Sequence, residues 1–369
     1  MKYPLSNTLE TLRDHISEQL ISPECMAVIQ RVAAYFPAPI TSTFGFESRL
    51  WEEEAKADFL FCVSSDHSQK DILAGKNPML SIPDFEYAEP VWKNIKDFAR
   101  WWRDSNESLS KIINRAWLEF DMNETMTAIP IPGIFWGLDS CVTKTSMAEE
   151  YKRNLLMTVE RVYHILKGKP ISQEQRQTLV STIEAIPGRC KIEQVGFMLS
   201  RDIDALRLVI TKLGDIDLVT SFLEQINWPG SIGEFSQFLN TLIPYVKFLA
   251  LNIDVGNQIY PRIGLECYVD YYPRGFAQRK RLVDYLMREQ LCTPAKRNAL
   301  LDWHGYFRTQ FLHEFWESLV VKRFHHIKVD YRPGDSLRAK AYVGFASHRV
   351  GSPIFKKVTK QVLTEGVAR

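Results

Sequence analysis

The feature of this sequence that most constrains its fold is a regular recurrence of short strand-like pairs, separated by longer helical stretches. Each pair consists of two runs in which apolar and polar residues alternate, joined by a turn. In chain order the five pairs are 44–51 with 58–63, 116–121 with 133–138, 195–200 with 206–210, 247–254 with 262–270, and 325–331 with 337–345. A single hairpin cannot cover both its faces and its edges. The sequence therefore predicts an α+β fold, a closed antiparallel ten-stranded β-barrel ringed by helices in five αββα units.

The stretches between the pairs begin with recognisable helix N-caps. Ser172 is followed three residues later by Gln175, and Ser231 by Glu234, which is the spacing of a capping box. Thr293 stands directly before a proline, which favours the first position of a helix. These signals predict helices that begin after each of the three residues.

No Gly/Ser-rich linker interrupts the chain, so the sequence offers no domain boundary. We expect a single barrel domain over residues 1–369, with a helical segment at 1–40 and the five αββα units at 43–345.

Composition and charge exclude several classes of partner. Lysine and arginine total 46 against 44 aspartate and glutamate, a formal net charge of +2, which gives no global attraction to nucleic acid or to anionic membranes. The longest uncharged apolar run, 128–138, contains two prolines and is too short to span a bilayer. Six cysteines occur without a Cys-x-x-Cys pair, and the amino terminus lacks the apolar core of a signal peptide. We expect reduced thiols and a cytoplasmic protein with no nucleic-acid or membrane partner.

Charged side chains collect on one face of the predicted strands, because strand side chains alternate between faces. These faces carry Glu47 and Arg49 in the first hairpin, Trp117, Glu119 and Asp121 in the second, Arg207 in the third, Glu266, Tyr268 and Asp270 in the fourth, and His326, Lys328, Asp330, Arg338, Lys340 and Tyr342 in the fifth. In an open sheet this face would lie in water. If helices cover the apolar outside of a barrel, the charges line an enclosed lumen, where they either pair with one another or bind a charged ligand.

Two short motifs suggest metal or phosphate chemistry but have simpler structural interpretations. His325 and His326 are neighbours on a strand, so we expect them on opposite faces and unable to share a metal ion. Asp202-x-Asp204 matches a diphosphate–metal pattern but lies in a predicted tight turn, where aspartate is common. A Gly-x-Gly-x-x-Gly loop and a Walker loop are both missing from the sequence, which argues against a dinucleotide-binding fold and a P-loop ATPase.

A ten-stranded barrel of five αββα units resembles the soluble aromatic prenyltransferases of the ABBA type, including their dimethylallyl-tryptophan-synthase-like branch. The resemblance covers roughly residues 40–350, and two local motifs support it. Phe46-Glu47-Ser48 is similar to the strand glutamate motif of the family, and Arg338-x-Lys340-x-Tyr342 looks like its Arg-x-Lys-x-Tyr motif. The chain departs from the repeated basic-x-Tyr pattern on other strands.

The resemblance implies an enzyme that moves an isoprenyl group from an allylic diphosphate to an aromatic or guanidine-bearing small molecule or peptide in natural-product biosynthesis. It implies Glu47 and Glu119 as candidate catalytic bases; Arg49, Arg207, Lys328, Arg338, Lys340 and Tyr342 as diphosphate-binding residues; and Trp117, Glu266 and Tyr268 as residues that shield the cation or bind the acceptor. No cofactor is firmly implied, although Mg²⁺ is compatible with this chemistry. The alternative is a non-catalytic barrel that binds a peptide or another ligand in a biosynthetic pathway.

Two geometric expectations follow. Glu47 or Glu119 should face the lumen beside an apolar wall, where desolvation raises its pKa, unless Arg49 or Arg115 pairs with it. Alternate residues on a strand lie about 7 Å apart, so Arg338, Lys340 and Tyr342 should converge on one polyphosphate. A cross-strand ion pair of Asp330 with Lys328 or Lys340 is the competing expectation.

Overall fold

A closed ring of ten antiparallel strands forms the centre of the molecule. The computed structural model describes residues 3–77, 79–80, 82–83, 89–104, 106–122, 130–138, 149–201, 203–270 and 273–352. The strands are β1 (Thr43–Arg49), β2 (Ala57–Ser64), β3 (Ile113–Phe120), β4 (Gly133–Leu138), β5 (Lys191–Met198), β6 (Leu206–Thr211), β7 (Phe248–Val255), β8 (Ile259–Tyr268), β9 (Tyr306–Thr309), β10 (Ser318–Tyr331) and β11 (Arg338–Arg349). Strands β1 to β8 pair in chain order, β8 pairs with β10, β10 with β11, and β11 with β1. The predicted barrel of five hairpins is confirmed.

Strand β9 is an addition that the sequence did not predict. It pairs only with the first part of β10, from Ser318 to Val321, and so extends the sheet beyond the ring. Strand β10 is long enough to reach β9 with its first residues and β8 with its last.

Helices surround the ring. The α-helices are α1 (Leu5–Thr11), α2 (Pro23–Ala33), α3 (His67–Leu73), α4 (Val91–Arg103), α5 (Glu149–Lys167), α6 (Gln173–Ala185), α7 (Ile216–Gln225), α8 (Ile232–Leu242), α9 (Phe276–Arg288) and α10 (Pro294–Leu301). The three predicted N-caps are confirmed, because the side chains of Ser172, Ser231 and Thr293 each accept a bond from a backbone N–H three residues later. None of the described helices is both long and apolar enough to cross a membrane.

The hydrophobic core lies between the outer face of the barrel and these helices. Phe61 on β2 and Phe120 on β3 pack against Phe36, with ring centroids 5.0 and 5.5 Å apart, and Trp92 of α4 lies over the same cluster. The alternation of side chains explains this layer, since the neighbouring positions on β2 face inward. The five described cysteines are buried and form no disulfide with one another. Cys141, Asp202 and the first two residues of the 128–138 run lie outside the described residues.

Glycines allow the first and last strands to close the ring. Gly45 on β1 and Gly344 on β11 are directly opposite each other. A Cβ atom at Gly45 would lie 2.6 Å from the Val343 carbonyl oxygen, and one at Gly344 would meet the Phe44 carbonyl oxygen. The close approach of the two backbones therefore requires residues without a side chain at this seam.

A candidate active site in the barrel lumen

The lumen contains two adjoining cavities of different character. The smaller has a volume of about 110 Å³, and the larger about 630 Å³. Five residues line both cavities and mark the junction between them: Leu60, Glu119, Phe135, Lys328 and Tyr342. The small cavity lies at the end of the barrel where β1 runs into β2, and the large cavity lies toward the opposite end.

The small cavity has a balanced set of charges. Its walls contain five bases, Arg201, Arg207, Arg262, Lys328 and Lys340, and five acids, Glu47, Asp58, Glu119, Asp121 and Asp330. Such an arrangement is typical of a lumen in which buried charges neutralise one another, because an isolated buried charge is costly.

Three arginines of the small cavity are held by carboxylates. Arg207 on β6 makes two parallel bonds to Asp254 of β7, with distances of 2.6 and 2.9 Å. Arg262 on β8 pairs with Asp330 of β10 and also approaches Asp254 at 3.5 Å. The expectation that Asp330 neutralises a lysine is therefore wrong, because its carboxylate pairs with Arg262 on the neighbouring strand instead.

Arg201 forms the third pair. Its guanidinium donates to both carboxylate oxygens of Asp121, at 2.8 and 3.0 Å. This pair joins the chain that follows β5 to the end of β3 and closes one side of the small cavity.

Glu47 is bound by two donors from the last strand. The Lys340 ammonium donates to one carboxylate oxygen and the Tyr342 hydroxyl to the other. Burial alone would raise the pKa of Glu47, but the positive charges of Lys340 and Lys328 bring the pKa below its usual range. The expectation of a raised pKa is therefore wrong for Glu47, and its ion-pair partner is Lys340, not Arg49.

Glu119 on β3 is a half-buried lumenal acid. Burial, together with the negative charge of Glu47, raises the pKa of Glu119 to about 7. Among the described residues, nothing donates a hydrogen bond to its carboxylate or forms an ion pair with it. Leu60 on β2 lies directly opposite, and Phe135 of β4 lines the same junction. The prediction of a lumenal acid beside an apolar wall is confirmed at this residue.

Lys328 on β10 is the matching cation. It is 5% exposed, and burial together with the positive charges of Arg207 and Arg262 lowers its pKa to about 8. In the described part of the chain, no carboxylate lies within ion-pair distance of its ammonium group, which lies 6.0 Å from the centroid of the Tyr342 ring. Among the described residues, the junction of the cavities thus contains one carboxylate, that of Glu119, and one ammonium group, that of Lys328, without an ion-pair partner.

The large cavity is lined by both charged side chains and aromatic rings. Trp117, Phe135, Phe248, Tyr268 and Tyr342 contribute to its walls, and Phe248 stacks on Tyr268 at 4.5 Å. Glu266 lies among them, 7% exposed, and accepts bonds from the Asn252 amide at 3.0 Å and from the Tyr268 hydroxyl at 2.7 Å. The positions predicted for acceptor binding, Trp117, Glu266 and Tyr268, are therefore brought together in one cavity.

A β-bulge corrects the interpretation of the two histidines. The pairing of β10 with β11 shifts register between Phe324 and His326, so His325 is an extra residue in the strand. Both imidazoles line the large cavity as a result, rather than opposite faces of the sheet. Burial lowers the pKa of both rings, that of His325 to about 3, so both are neutral.

Two arginines with predicted roles lie outside both cavities. Arg338 is exposed at the first residue of β11, with its guanidinium 5.7 Å from the centroid of the Trp51 ring. Arg49, at the end of β1, lies 3.8 Å from both Glu52 and Asp58. The expected convergence of Arg338 with Lys340 and Tyr342 does not occur, because the barrel wall ends where β11 begins. The assignment of both arginines to diphosphate binding stays a prediction.

Several residues of the lumen were missed by sequence reasoning: Asp58, Arg201, Asn252, Asp254 and Arg262. The alternation on β8 could have placed Arg262 on the lumenal face with Glu266, since four residues separate them. Arg201 lies beyond the end of β5, where alternation gives no signal.

Comparison with known proteins identifies this barrel. No protein-family model matches the sequence, and no curated protein matches it. The chain is similar to the prenyltransferase PriB in its apo form, with a TM-score of 0.51 and 12% identity over 92% of this chain and 93% of that one. A PriB complex with product diphosphate gives 0.50 and 13%, over 92% and 94%. A 5-dimethylallyltryptophan synthase from Streptomyces coelicolor gives 0.49 and 11%, over 93% and 98%. The protein therefore has the barrel fold of the ABBA-type aromatic prenyltransferases.

Proposed function

We propose that the protein transfers a prenyl group from an allylic diphosphate to a small-molecule acceptor inside its barrel, in a pathway of natural-product biosynthesis. The observation that carries this proposal is the junction of the two cavities. There Lys328 and Glu119, which both line both cavities, have no hydrogen-bond or ion-pair partner among the described residues. The fold agrees with this function, since PriB, which shares it, is described in complex with product diphosphate.

Lys328 supplies the charge for the leaving group. When the allylic C–O bond breaks, the electron pair leaves with the diphosphate, and a cation fixed nearby stabilises the developing negative charge. Lys328 suits this task because its ammonium group is buried and, among the described residues, unpaired. Arg207, Arg262 and Lys340 lie in the same cavity and add positive potential, although carboxylates already hold them.

Aromatic rings at the junction stabilise the carbocation. Tyr342 and Phe135 line both cavities, so their ring faces border the space between donor and acceptor. The negative faces of aromatic rings attract a cation by roughly 0.5–2 kcal/mol each. The new bond then forms between the allylic carbon and the acceptor.

Glu119 removes the proton that the acceptor loses. A general base works best when its pKa lies near the working pH and the atom that accepts the proton is not already hydrogen-bonded. Glu119 meets both conditions, whereas both oxygens of Glu47 already accept bonds from Lys340 and Tyr342. We therefore assign the base to β3 and give Glu47 a positioning role for the two side chains it holds.

The described residues do not fit a resident Mg²⁺ ion. No group of three or more His, Cys, Asp or Glu side chains in the described part of the chain is arranged to hold a metal. Arginines and a lysine occupy most of the carboxylates in the small cavity. We derive no step through a metal, and the assay below compares Mg²⁺ with a chelator.

Diphosphate release tests the proposal. The protein is incubated with dimethylallyl or geranyl diphosphate, with and without aromatic acceptors, in Mg²⁺ or in EDTA. We expect release that depends on the acceptor. Lys328→Met should weaken donor binding by about 10- to 150-fold, the worth of a charged hydrogen bond. Donor binding without release in the presence of any acceptor, or an unchanged affinity in Lys328→Met, contradicts the proposal.

A non-catalytic ligand-binding barrel is the second candidate, and the charge balance favours it. Four of the five bases in the small cavity already have a carboxylate partner among the described residues. A lumen neutralised in this way binds a ligand through its aromatic walls without ionising a diphosphate. Acceptor binding by calorimetry, with no diphosphate release under any condition, is the result that selects this candidate.

A further inference from the structure

A cross-strand ion pair that the strand register favours does not form in the lumen. Glu266 on β8 lies directly opposite Lys328 on β10. Opposite charges at such positions normally pair across the strands. In the described residues, however, neither Lys328 nor any other cationic side chain lies within ion-pair distance of the Glu266 carboxylate. Both charges are nonetheless more than nine-tenths buried.

The missing side chain of Gly264 explains why the pair stays open. Gly264 precedes Glu266 by two residues on the same face of β8 and lies opposite Asp330. A Cβ atom on Gly264 would lie 2.7 Å from the Cε atom of Lys328. The lysine therefore leans over the glycine toward the small cavity and away from the carboxylate opposite it.

Hydrogen bonds hold Glu266 in place for another partner. The Asn252 amide and the Tyr268 hydroxyl each donate to one of its oxygens, and Asn252 is 1% exposed. The Oδ1 atom of Asn252 is buried without a hydrogen-bond partner among the described residues. A fixed carboxylate and an unsatisfied amide oxygen thus stand side by side, and both are hydrogen-bond acceptors.

We infer that Glu266 and Asn252 bind a cationic nitrogen of the acceptor, an ammonium or guanidinium group on an aromatic body, and that Gly264 keeps this site open by drawing Lys328 away. A buried carboxylate without a cation is costly, and a ligand that supplies the cation removes the cost. Such a group donates to both acceptors, while its aromatic body contacts Trp117, Tyr268 and Phe248. His326, which also faces this region, is neutral and stacks on Tyr342 at 4.3 Å.

The inference rests on the proposed function for the name "acceptor", but its test does not. Binding is measured by calorimetry without a prenyl donor, using phenethylamine, phenethylguanidine and 2-phenylethanol, which share one ring. The amine and the guanidine should bind about tenfold or more tightly than the alcohol, since one charged hydrogen bond is lost in the alcohol. Equal binding of the three ligands contradicts the inference.

Two variants test the residues. Glu266→Gln keeps the size of the side chain and should abolish the preference for the cationic ligands. Glu193→Gln is the matched control, because Glu193 lines the same cavity but its carboxylate is already paired with Lys191 at 2.8 Å. A preference that survives Glu266→Gln, or that Glu193→Gln removes equally, contradicts the inference.

The role of Gly264 has its own test. Gly264→Ala should push Lys328 onto Glu266 and abolish the preference, and the double variant Gly264→Ala/Lys328→Met should restore it. Restoration shows that the lysine, rather than damage to the fold, blocked the site; failure of the double variant to restore the preference contradicts this role. Cation binding without diphosphate release overturns the proposed transfer but supports this inference. Diphosphate release without a preference for cationic ligands supports the proposed transfer but contradicts this inference.

Discussion

At the scale of single residues, the partners of a lumenal acid set the direction of its pKa shift. Glu47 is buried and Glu119 half-buried, and both face the lumen, but the pKa of Glu47 is lowered and that of Glu119 is raised to about 7. The difference arises because Lys340 and Tyr342 hold Glu47, whereas no described residue holds Glu119. Opposite shifts of this kind assign different roles to two carboxylates of one site.

Replacement of Glu119 should slow prenyl transfer and change its pH dependence. A base acts when deprotonated, so the rate of diphosphate release should rise with pH through about 7 in the natural protein. Glu119→Gln should lower this rate by about 10²- to 10⁴-fold and remove the rise through about pH 7, leaving only the fall near pH 8 where Lys328 loses its charge. Steady-state assays between pH 5.5 and 8.5 measure both, with Glu193→Gln as the control. A steep profile near pH 7 in the variant would exclude Glu119 as the base.

The same substitution should stabilise the fold at high pH. The folded-state pKa of Glu119 lies above its unfolded value, so the folded protein binds this proton more tightly and its stability falls as pH rises from about 4.5 to about 7. Glu119→Gln removes that loss. The gain in the free energy of unfolding should therefore be larger at pH 8 than at pH 5, as urea titrations at the two pH values would show. An equal gain at both contradicts the shift.

Removal of Lys340 from its pair with Glu47 should destabilise the fold. Lys340→Met leaves a buried carboxylate with only Tyr342 as a donor, and breaking a buried pair costs about 3–5 kcal/mol. The double variant Lys340→Met/Glu47→Gln should recover much of this loss, because no charge is left behind. Thermal unfolding of the three proteins measures the effect. A double variant as unstable as the single one would mean that packing, not charge, explains the loss.

At the scale of elements, alternation predicted the hairpins but not the irregularities of β10. The five hairpins follow from local pattern and turn residues, which act within a few positions of one another. The bulge at His325 and the short strand β9 depend on what lies beside β10, and no glycine or proline in 324–326 marks the bulge. The pair of Glu47 and Lys340 spans 293 positions, so only the ring closure reveals it.

The turn between β1 and β2 is held by a buried lysine of α10. The Lys296 ammonium, in a residue that is 1% exposed, donates to the carbonyl oxygens of Arg49 and Glu54 at 2.7 Å each, and also to that of Glu52. Lysine has three donors and no acceptor, which matches three carbonyls. This contact fixes the rim of the barrel beside the small cavity.

Lys296→Met should therefore destabilise the protein strongly. Three partly buried carbonyls lose a charged donor, and a charged hydrogen bond contributes about 1.5–3 kcal/mol. We expect a loss of at least about 1.5 kcal/mol in the free energy of unfolding. Lys280→Met is the control, because its exposed contact with Asp284 contributes less than about 1 kcal/mol. Similar losses in the two variants would contradict the role of the buried lysine.

At the scale of the whole molecule, closure of the ring depends on the glycine seam between β1 and β11. Gly344→Ala should force these strands apart, since its Cβ atom would meet the Phe44 carbonyl oxygen. Overpacking of this kind typically costs about 1–3 kcal/mol. Amide hydrogen exchange should quicken in β1 and β11 more than in β5 and β6. Gly188→Ala, where a Cβ atom meets nothing within 4 Å, is the control. Uniform quickening over all strands would contradict a local opening.

The closure of the ring by its first and last strands also sets the order in which the chain can assemble during synthesis. Strand β1 is the first of the strands to leave the ribosome, and its partner β11 emerges almost three hundred residues later. Until then Glu47 lacks the lysine and the tyrosine that hold it, and water has access to the open wall beside it. The Glu47 carboxylate is well solvated in water, and burying it without a partner costs free energy. Electrostatics therefore favours an open sheet until β11 is present. The arrival of β11 supplies the missing charge and closes the wall, so the lumen is sealed only after β11 has been made.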